Sequence, residues 1–536
     1  MALFNLSEFE CNLPQTSTPL CVIGGGIAGL LFACRVAQKG RRVVVVESGY
    51  TSFDAMIQAL NEIEDPGGHY TRALDGRYRG LGGSSSRWGG RLIPISEHER
   101  GERDYISQPA WPDSMSSFDR YNALLETLLR VDKSPFEHGG HPRTVGGTEF
   151  FSSGDEDITV RWAKCAPFKF CNMKAALGDQ LKHLKSLEIW LGATVCGFEH
   201  DRDNGRLASI TARSFNGNTM KVRADQFVVA AGAIETTRLL LLLDEASENR
   251  AFQGCNALGT YFQDHLKAKV ATIDRSDPAF TNRVFAYRFV NATRRDLHME
   301  LSPAAQRQDS VGSAFAYVAM DFTGSRLSHL RQMMRDVQRG NLVLRDALRV
   351  STSLPLLARS LYWRYTRKQL FAPADIKFDV MICAEQLPAA SNRIRLSDER
   401  DKFGMRKARF EWGPTEADER TFRSAIAHLG AFWHKSGLAR LSPLNWHPAA
   451  VDPGMPIIAQ AEACAHPSGS TRMGTDPAES VVGPDLHCHA VPNVAVASAS
   501  VFPTAGSANP TFTIMGLALW LADTYLENSS YLPLIP

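Results

Sequence analysis

His466 stands in the stretch AHPSGSTRMG, where Pro467 and Gly469 argue against an uninterrupted helix. Asn509 directly precedes Pro510, which fits a helix cap followed by proline at the first helical position. An imidazole titrates near neutral pH and can accept a hydroxyl proton, whereas a carboxamide can only orient one. Taken alone, such a histidine is more often a packing residue and such an asparagine a plain cap. A second set of residues is more specific. Gly24, Gly26 and Gly29 follow an apolar run and open a helical pattern, in the order that allows a tight turn, close approach of backbone to a pyrophosphate, and close packing of helix on strand.

The elements around these glycines read as one unit. From Leu20 to Glu47 the chain runs LCVIGGGIAGLLFACRVAQKGRRVVVVE: a strand to Gly24, a helix to about Gln38, a turn at Gly40 and a second β-branched strand. Phosphates would sit on the helix N-terminus, and Glu47 would accept a hydrogen bond from a ribose hydroxyl. The loop RGLGGSSSRWGGRL adds Gly82, Gly83, Gly89 and Gly90, which let backbone pass close to a flat ring system, and Ser84, Ser85 and Ser86, whose hydroxyls suit phosphate or ring heteroatoms. Trp88 could stack beside a ring or simply pack.

Strand, glycine turn and helix alternate again near Val195, in QFVVAAGAIETTRLLLL and in the closing segment from Asn493. The dinucleotide-binding domain is therefore expected to be discontinuous: 15–110, 185–265 and 455–536, with 111–184 as connecting and covering segments. Residues 266–454 read as a substrate domain with several strands. They contain a basic helical insertion at about 326–368, where ten Arg or Lys face two acids. A lid or solvated face is the favoured reading of that insertion over peripheral membrane contact.

Composition excludes other classes. The chain has 536 residues, 44% hydrophobic and 22% charged, with a formal charge of +2, so it is globular and has no overall attraction to nucleic acid. Ten scattered cysteines form no CxxC pair, which fits a reducing compartment, without a disulfide framework or structural zinc. His487, Cys488 and His489 lack a further ligand at a suitable spacing, and no metal is expected. The N-terminal stretch is unlike a secretory signal, and no apolar run reaches the ~20 residues of a membrane span. A cytoplasmic location is expected. His265 in QDHL reads as a packing or loop-orienting residue, and Glu235 and Asp485 as structural polar contacts.

The first unit, the RGLGGSSSRWGGRL loop, PAWPDSMSSFDRYNALLETLLRV, ALGTYFQDHL, and AHPSGSTRMG followed by VFPTAGSANPTFTIMGLAL resemble the glucose-methanol-choline (GMC) oxidoreductases, most of all pyranose oxidases and bacterial glycoside oxidases. The resemblance implies an α/β FAD-binding Rossmann-like domain interleaved with an α+β substrate-binding domain. It implies FAD contacts from Gly24, Gly26, Ile27, Ala28, Gly29, Glu47 and Ser48. Further contacts would come from Arg79, Gly82, Gly83, Ser84, Ser85, Arg87, Trp88, Gly89 and Gly90, then from Val195, Ala231, Gly232, Ser500, Asn509, Pro510 and Thr511. His466 matches the family's catalytic base and Asn509 its second active-site position. In pyranose oxidases a histidine just before the tryptophan is joined covalently to the flavin; here Arg87 takes that place, so FAD should be non-covalent. The implied reaction is oxidation of a C–OH group to a carbonyl, with a sugar, glycoside, aminocyclitol or glycosylated natural product as substrate and oxygen or another electron acceptor. The alternative is an FAD-containing lyase of the same superfamily, without redox turnover.

Overall fold

Val43–Val46 is buried at all four positions, as a parallel strand covered on both faces must be. It lies between Thr16–Ile23 and Leu187–Leu191 in a sheet whose parallel members continue to Ala2–Asn5 on one side and to Thr219–Val229 and Val494–Val496 on the other. Arg206–Arg213 and Thr194–Asp201 extend it antiparallel. In this computed structural model the described residues are 1–9, 15–106, 108–137, 150–151, 155–323, 325, 328 and 355–528.

The helix Ile27–Gln38 packs down onto this sheet. A Cβ on Gly29 would fall 2.0 Å from the carbonyl oxygen of Gly24, so only glycine allows this approach of helix to turn. Pro510–Glu527 lies along the same helix and buries Phe512, Met515, Ala518, Leu519 and Leu521, which explains why its sequence is apolar nearly all round. Arg35 clasps Asp523 through two hydrogen bonds of 2.7 and 2.9 Å where the two helices meet.

The second sheet is antiparallel. Its central members are, in order, Leu266–Ile273, Lys377–Ala384, Ala314–Asp321, Thr293–Leu301 and Ile158–Cys165. Alternation along these strands divides the two faces. Leu297, Met299, Ala316, Val318, Val380 and Ile382 pack with Phe422, Leu429 and Trp433 of the helix Glu416–Lys435. Asp296, His298, Tyr317 and Cys383 occupy the intervening positions and so belong to the opposite face.

The chain passes back and forth between the two sheets, so a Rossmann-like α/β unit is interleaved with an α+β unit. Most of the basic insertion, 329–354, lies outside the described residues. Its last part is a helix over 355–362 that runs into a π-helical turn at Trp363–Arg367, with Leu361, Tyr362 and Tyr365 exposed. No helix among the described residues is long and apolar enough to cross a membrane.

Candidate active site

A cavity enclosing about 1290 Å³ up to its open mouth lies at the C-terminal ends of the parallel strands, where α/β sheets bind ligands. Two helix N-termini open into it. Ile27 and Ala28 begin one helix, whose cap Gly26 supplies no side-chain hydrogen bond; Pro510 and Thr511 begin the other. Their unpaired amides and positive dipole ends suit anionic groups. A Cβ on Gly26 would meet nothing nearer than 3.9 Å, so its backbone is open to the cavity. By contrast, one on Gly83 would fall 2.8 Å from Gly26 Cα, so at Gly83 glycine is required to bring the two loops together.

Gly24, Glu47, Ser48, Arg79, Ser84, Val195, Ala231 and Gly232 also line the cavity. The Glu47 carboxylate accepts the amides of Gly25 and Gly49, both at 2.7 Å, which fixes its position at the strand end. Other expected contacts stand back from this space. Arg87 lays its guanidinium over the rings of Tyr78 and Phe53, Trp88 donates its indole N–H to Cys171 O at 2.8 Å, and Ser500 accepts from Thr471 at 2.6 Å. Gly29, Gly82, Ser85, Gly89, Gly90 and Asn509 are not among the lining residues.

The cavity also reaches His466, two residues beyond Cys464 in a loop that Ala465 enters at φ 60°. Asp264 holds this loop: its Oδ1 accepts the backbone N–H of Cys464 at 3.2 Å and of His466 at 2.9 Å, while Oδ2 accepts the Tyr70 hydroxyl at 2.7 Å. His466 Nδ1 faces His265 Nδ1 at 2.9 Å, and Asn509 Nδ2 lies 3.3 Å from His466 Nε2. The His466 proton lies on Nδ1 when the Asn509 amide donates to Nε2, and on Nε2 when His265 donates to Nδ1. Burial, reinforced by the positive potential of His265, Arg91 and Lys267, holds His466 well below the usual imidazole range.

Asn509 occupies the cap position of the last helix but makes no capping bond; its amide is turned to His466, and its buried Oδ1 has no partner. The loop leading to it is clamped by Glu99, which accepts Ser507 N–H at 2.6 Å, and by Glu385, which accepts Gly506 N–H at 3.1 Å and is paired with Arg103 at 2.7 Å.

Sequence reasoning missed His265 as a partner of His466 and missed Asp264 altogether. Their signal was the QDH tripeptide itself, whose adjacent acid and imidazole read as packing until the loop from the other end of the chain meets them. It also left Glu235 as a bare structural contact. Glu235 lines the cavity with Arg77, Tyr78 and Asn61, and although burial opposes its ionisation, Arg79, Arg238 and Arg77 hold its pKa down to about 2.

Residues 388–518, which include His466 and Asn509, match the family model described as GMC oxidoreductase. The C-terminal part of this chain, with both candidate residues, is a GMC oxidoreductase domain. Residues 22–52 match the NAD(P)-binding Rossmann-like domain, over the segment that bears Gly24, Gly26 and Gly29. Among relatives, the C-glycoside 3-oxidase of Microbacterium trichothecenolyticum is 27% identical over 452 residues, covering 82% of this chain and 73% of that protein. The 6'''-hydroxyparomomycin C oxidase of Streptomyces lividus is 23% identical over 93% of this chain and 90% of that protein. A second C-glycoside 3-oxidase, from Arthrobacter globiformis, is 32% identical, but the match spans 26% of this chain and only 25% of that protein. In fold the chain is similar to pyridoxine 4-oxidase from Mesorbium loti, with a TM-score of 0.57 and 17% identity over 97% of this chain and 100% of that one.

The family implies FAD, and the site fits it. Two uncapped helix N-termini, an anchored acid at the second strand end, the unpartnered Nδ2 of buried Asn61 and the unpartnered Oδ1 of Asn509 all belong to, or border, the one cavity. The enzyme is an FAD-dependent oxidoreductase of the kind that acts on CH–OH donors.

Proposed function

We propose that this enzyme oxidises a C–OH group of a sugar, glycoside or aminocyclitol to a carbonyl, with His466 as the base. The observation that carries this reading is the paired imidazole: His466 Nδ1 is engaged by His265 at 2.9 Å, and its Nε2 faces Asn509 at 3.3 Å. Bound FAD supplies the acceptor for the hydride that leaves the same carbon. His466 Nε2 removes the hydroxyl proton. Asn509 orients the hydroxyl oxygen, with its unpartnered Oδ1 accepting from a neighbouring hydroxyl. Low intrinsic basicity keeps His466 neutral, so that it is ready to act as a base without first losing a proton.

Sugar-like substrates are supported by the relatives, named as C-glycoside and aminoglycoside oxidases. FAD is held non-covalently in this reading, because Arg87 cannot supply a flavin linkage and lies against Tyr78 and Phe53. Oxygen or another acceptor re-oxidises the enzyme, and the absence of CxxC pairs favours the cytoplasm. Anaerobic mixing with a panel of sugars, glycosides and aminocyclitols tests the proposal. Bleaching of the flavin band is expected with at least one; an oxidised spectrum that persists while a substrate is consumed would replace oxidation with lyase chemistry.

A further inference from the structure

Behind the His265–His466 pair lies a group that the proposed reaction does not use. Cys383 Sγ is 3.7 Å from Cys464 Sγ. Cys383 sits inside the second sheet, register-paired with Lys267 on one side and Phe315 on the other, so its backbone is held on both edges. Cys464 is partly exposed and belongs to the loop that carries His466. We propose that Cys383 and Cys464 form a peroxide-reactive dithiol, whose conversion to a disulfide displaces the His466 loop and slows the enzyme.

The chemistry is balanced with hydrogen peroxide as oxidant. The Cys383 thiolate attacks one peroxide oxygen and breaks the O–O bond, and the departing hydroxide takes up a proton, leaving a sulfenic acid and one water. The Cys464 sulfur then displaces the sulfenic hydroxyl as a second water, so two thiols and one peroxide give one disulfide and two waters. The hydrogen bond from Cys464 and the neighbouring His265 hold the Cys383 thiol below its usual range, despite burial, while Cys464 is pushed above it.

A disulfide requires the sulfurs to close from 3.7 Å to about 2.0 Å. Cys383 is fixed in the sheet, so the movement falls on Cys464, whose backbone N–H shares Asp264 Oδ1 with that of His466. A displacement of that order at the base costs on the order of 10- to 100-fold in rate. If oxygen accepts the electrons, as in the oxidase form of the proposed function, peroxide arises beside this dithiol and the device acts as product feedback. The feedback and the rate loss through His466 rest on the proposed function; the cross-link does not.

The test treats the FAD-loaded enzyme with added hydrogen peroxide in the absence of substrate, blocks remaining thiols with N-ethylmaleimide under denaturing conditions, and maps the peptides. The expected result is a dithiothreitol-sensitive Cys383–Cys464 cross-link and a reversible loss of about 10- to 100-fold in anaerobic flavin reduction. Cys383→Ser and Cys464→Ser should abolish the reversible loss. Recovery of both cysteines as maleimide adducts, or an equal reversible loss in either folded variant, would overturn the proposal. If neither variant folds, the wild-type peptide map decides it. Because the cross-link is read chemically, failure to find a substrate leaves this result standing, and failure of the cross-link leaves alcohol oxidation standing.

Discussion

His265 Nδ1 and His466 Nδ1 lie 2.9 Å apart with their rings at 86°, so one proton serves both nitrogens and fixes which edge of each ring is free. Two imidazoles so close cannot both be charged without strong repulsion. The split runs in the expected sense: His265 is raised despite its burial, by Cys383, Asp264 and Glu385, while burial and His265 lower His466.

A first consequence concerns the base itself. His466→Ala should retain FAD and slow anaerobic flavin reduction on the order of 10²–10⁴-fold, the range for loss of a general base. Asn509→Ala should slow it less, since it orients the hydroxyl without accepting the proton, and the double variant should fall short of the product of the two defects. Stopped-flow absorbance of the flavin reads this step directly; native rates in His466→Ala would move the base elsewhere.

The pH dependence has a definite sign. His466 is depressed, so it remains neutral well below the usual imidazole range, and flavin reduction should hold its plateau on acidification past the point where a free histidine protonates. In His265→Ala the positive neighbour is gone and the site is wetter, so the acid limb of the profile should move to higher pH. A merely structural role for His265 would lower the rate without moving the limb.

Gly83→Ala should give enzyme that is colourless or poorly folded, because φ is +56° there and the new methyl would sit 2.8 Å from Gly26 Cα, at the turn where phosphate is to be bound. Gly40→Ala is the control: its φ is also positive, at 79°, but nothing lies within 4 Å, so it should lose some stability and keep its flavin. Flavin content per protein, from absorbance, separates the two.

Acid or heat denaturation should release free FAD into the supernatant, because Arg87 stands where a linking histidine would be and stacks its guanidinium on Tyr78 and Phe53. Flavin that stays with the precipitated polypeptide would show an attachment at another residue.

Local chemistry made the first βαβ unit legible in the sequence, because the demands on Gly24, Gly29 and Glu47 are met within some two dozen residues: a turn, a helix seated on it, and an acid at the next strand end. His466 and Asn509 were legible as a pair of chemically apt residues in family-like segments. What the sequence could not determine was contact between distant segments. Asn509 reads as a helix cap, yet its amide abandons that bond for an imidazole 43 residues away; His265 reads as packing, yet it meets His466 across 201 residues. Cap and packing are preferences of the local chain, worth about a kilocalorie. The loop that brings His466 to both partners is set by the Asp264 carboxylate, by the clamps of Glu99 and Glu385, and by two sheets built from interleaved pieces of chain. Those contacts exist only once the long-range pairing is made, and it is the tertiary structure that brought the two candidate residues together with His265.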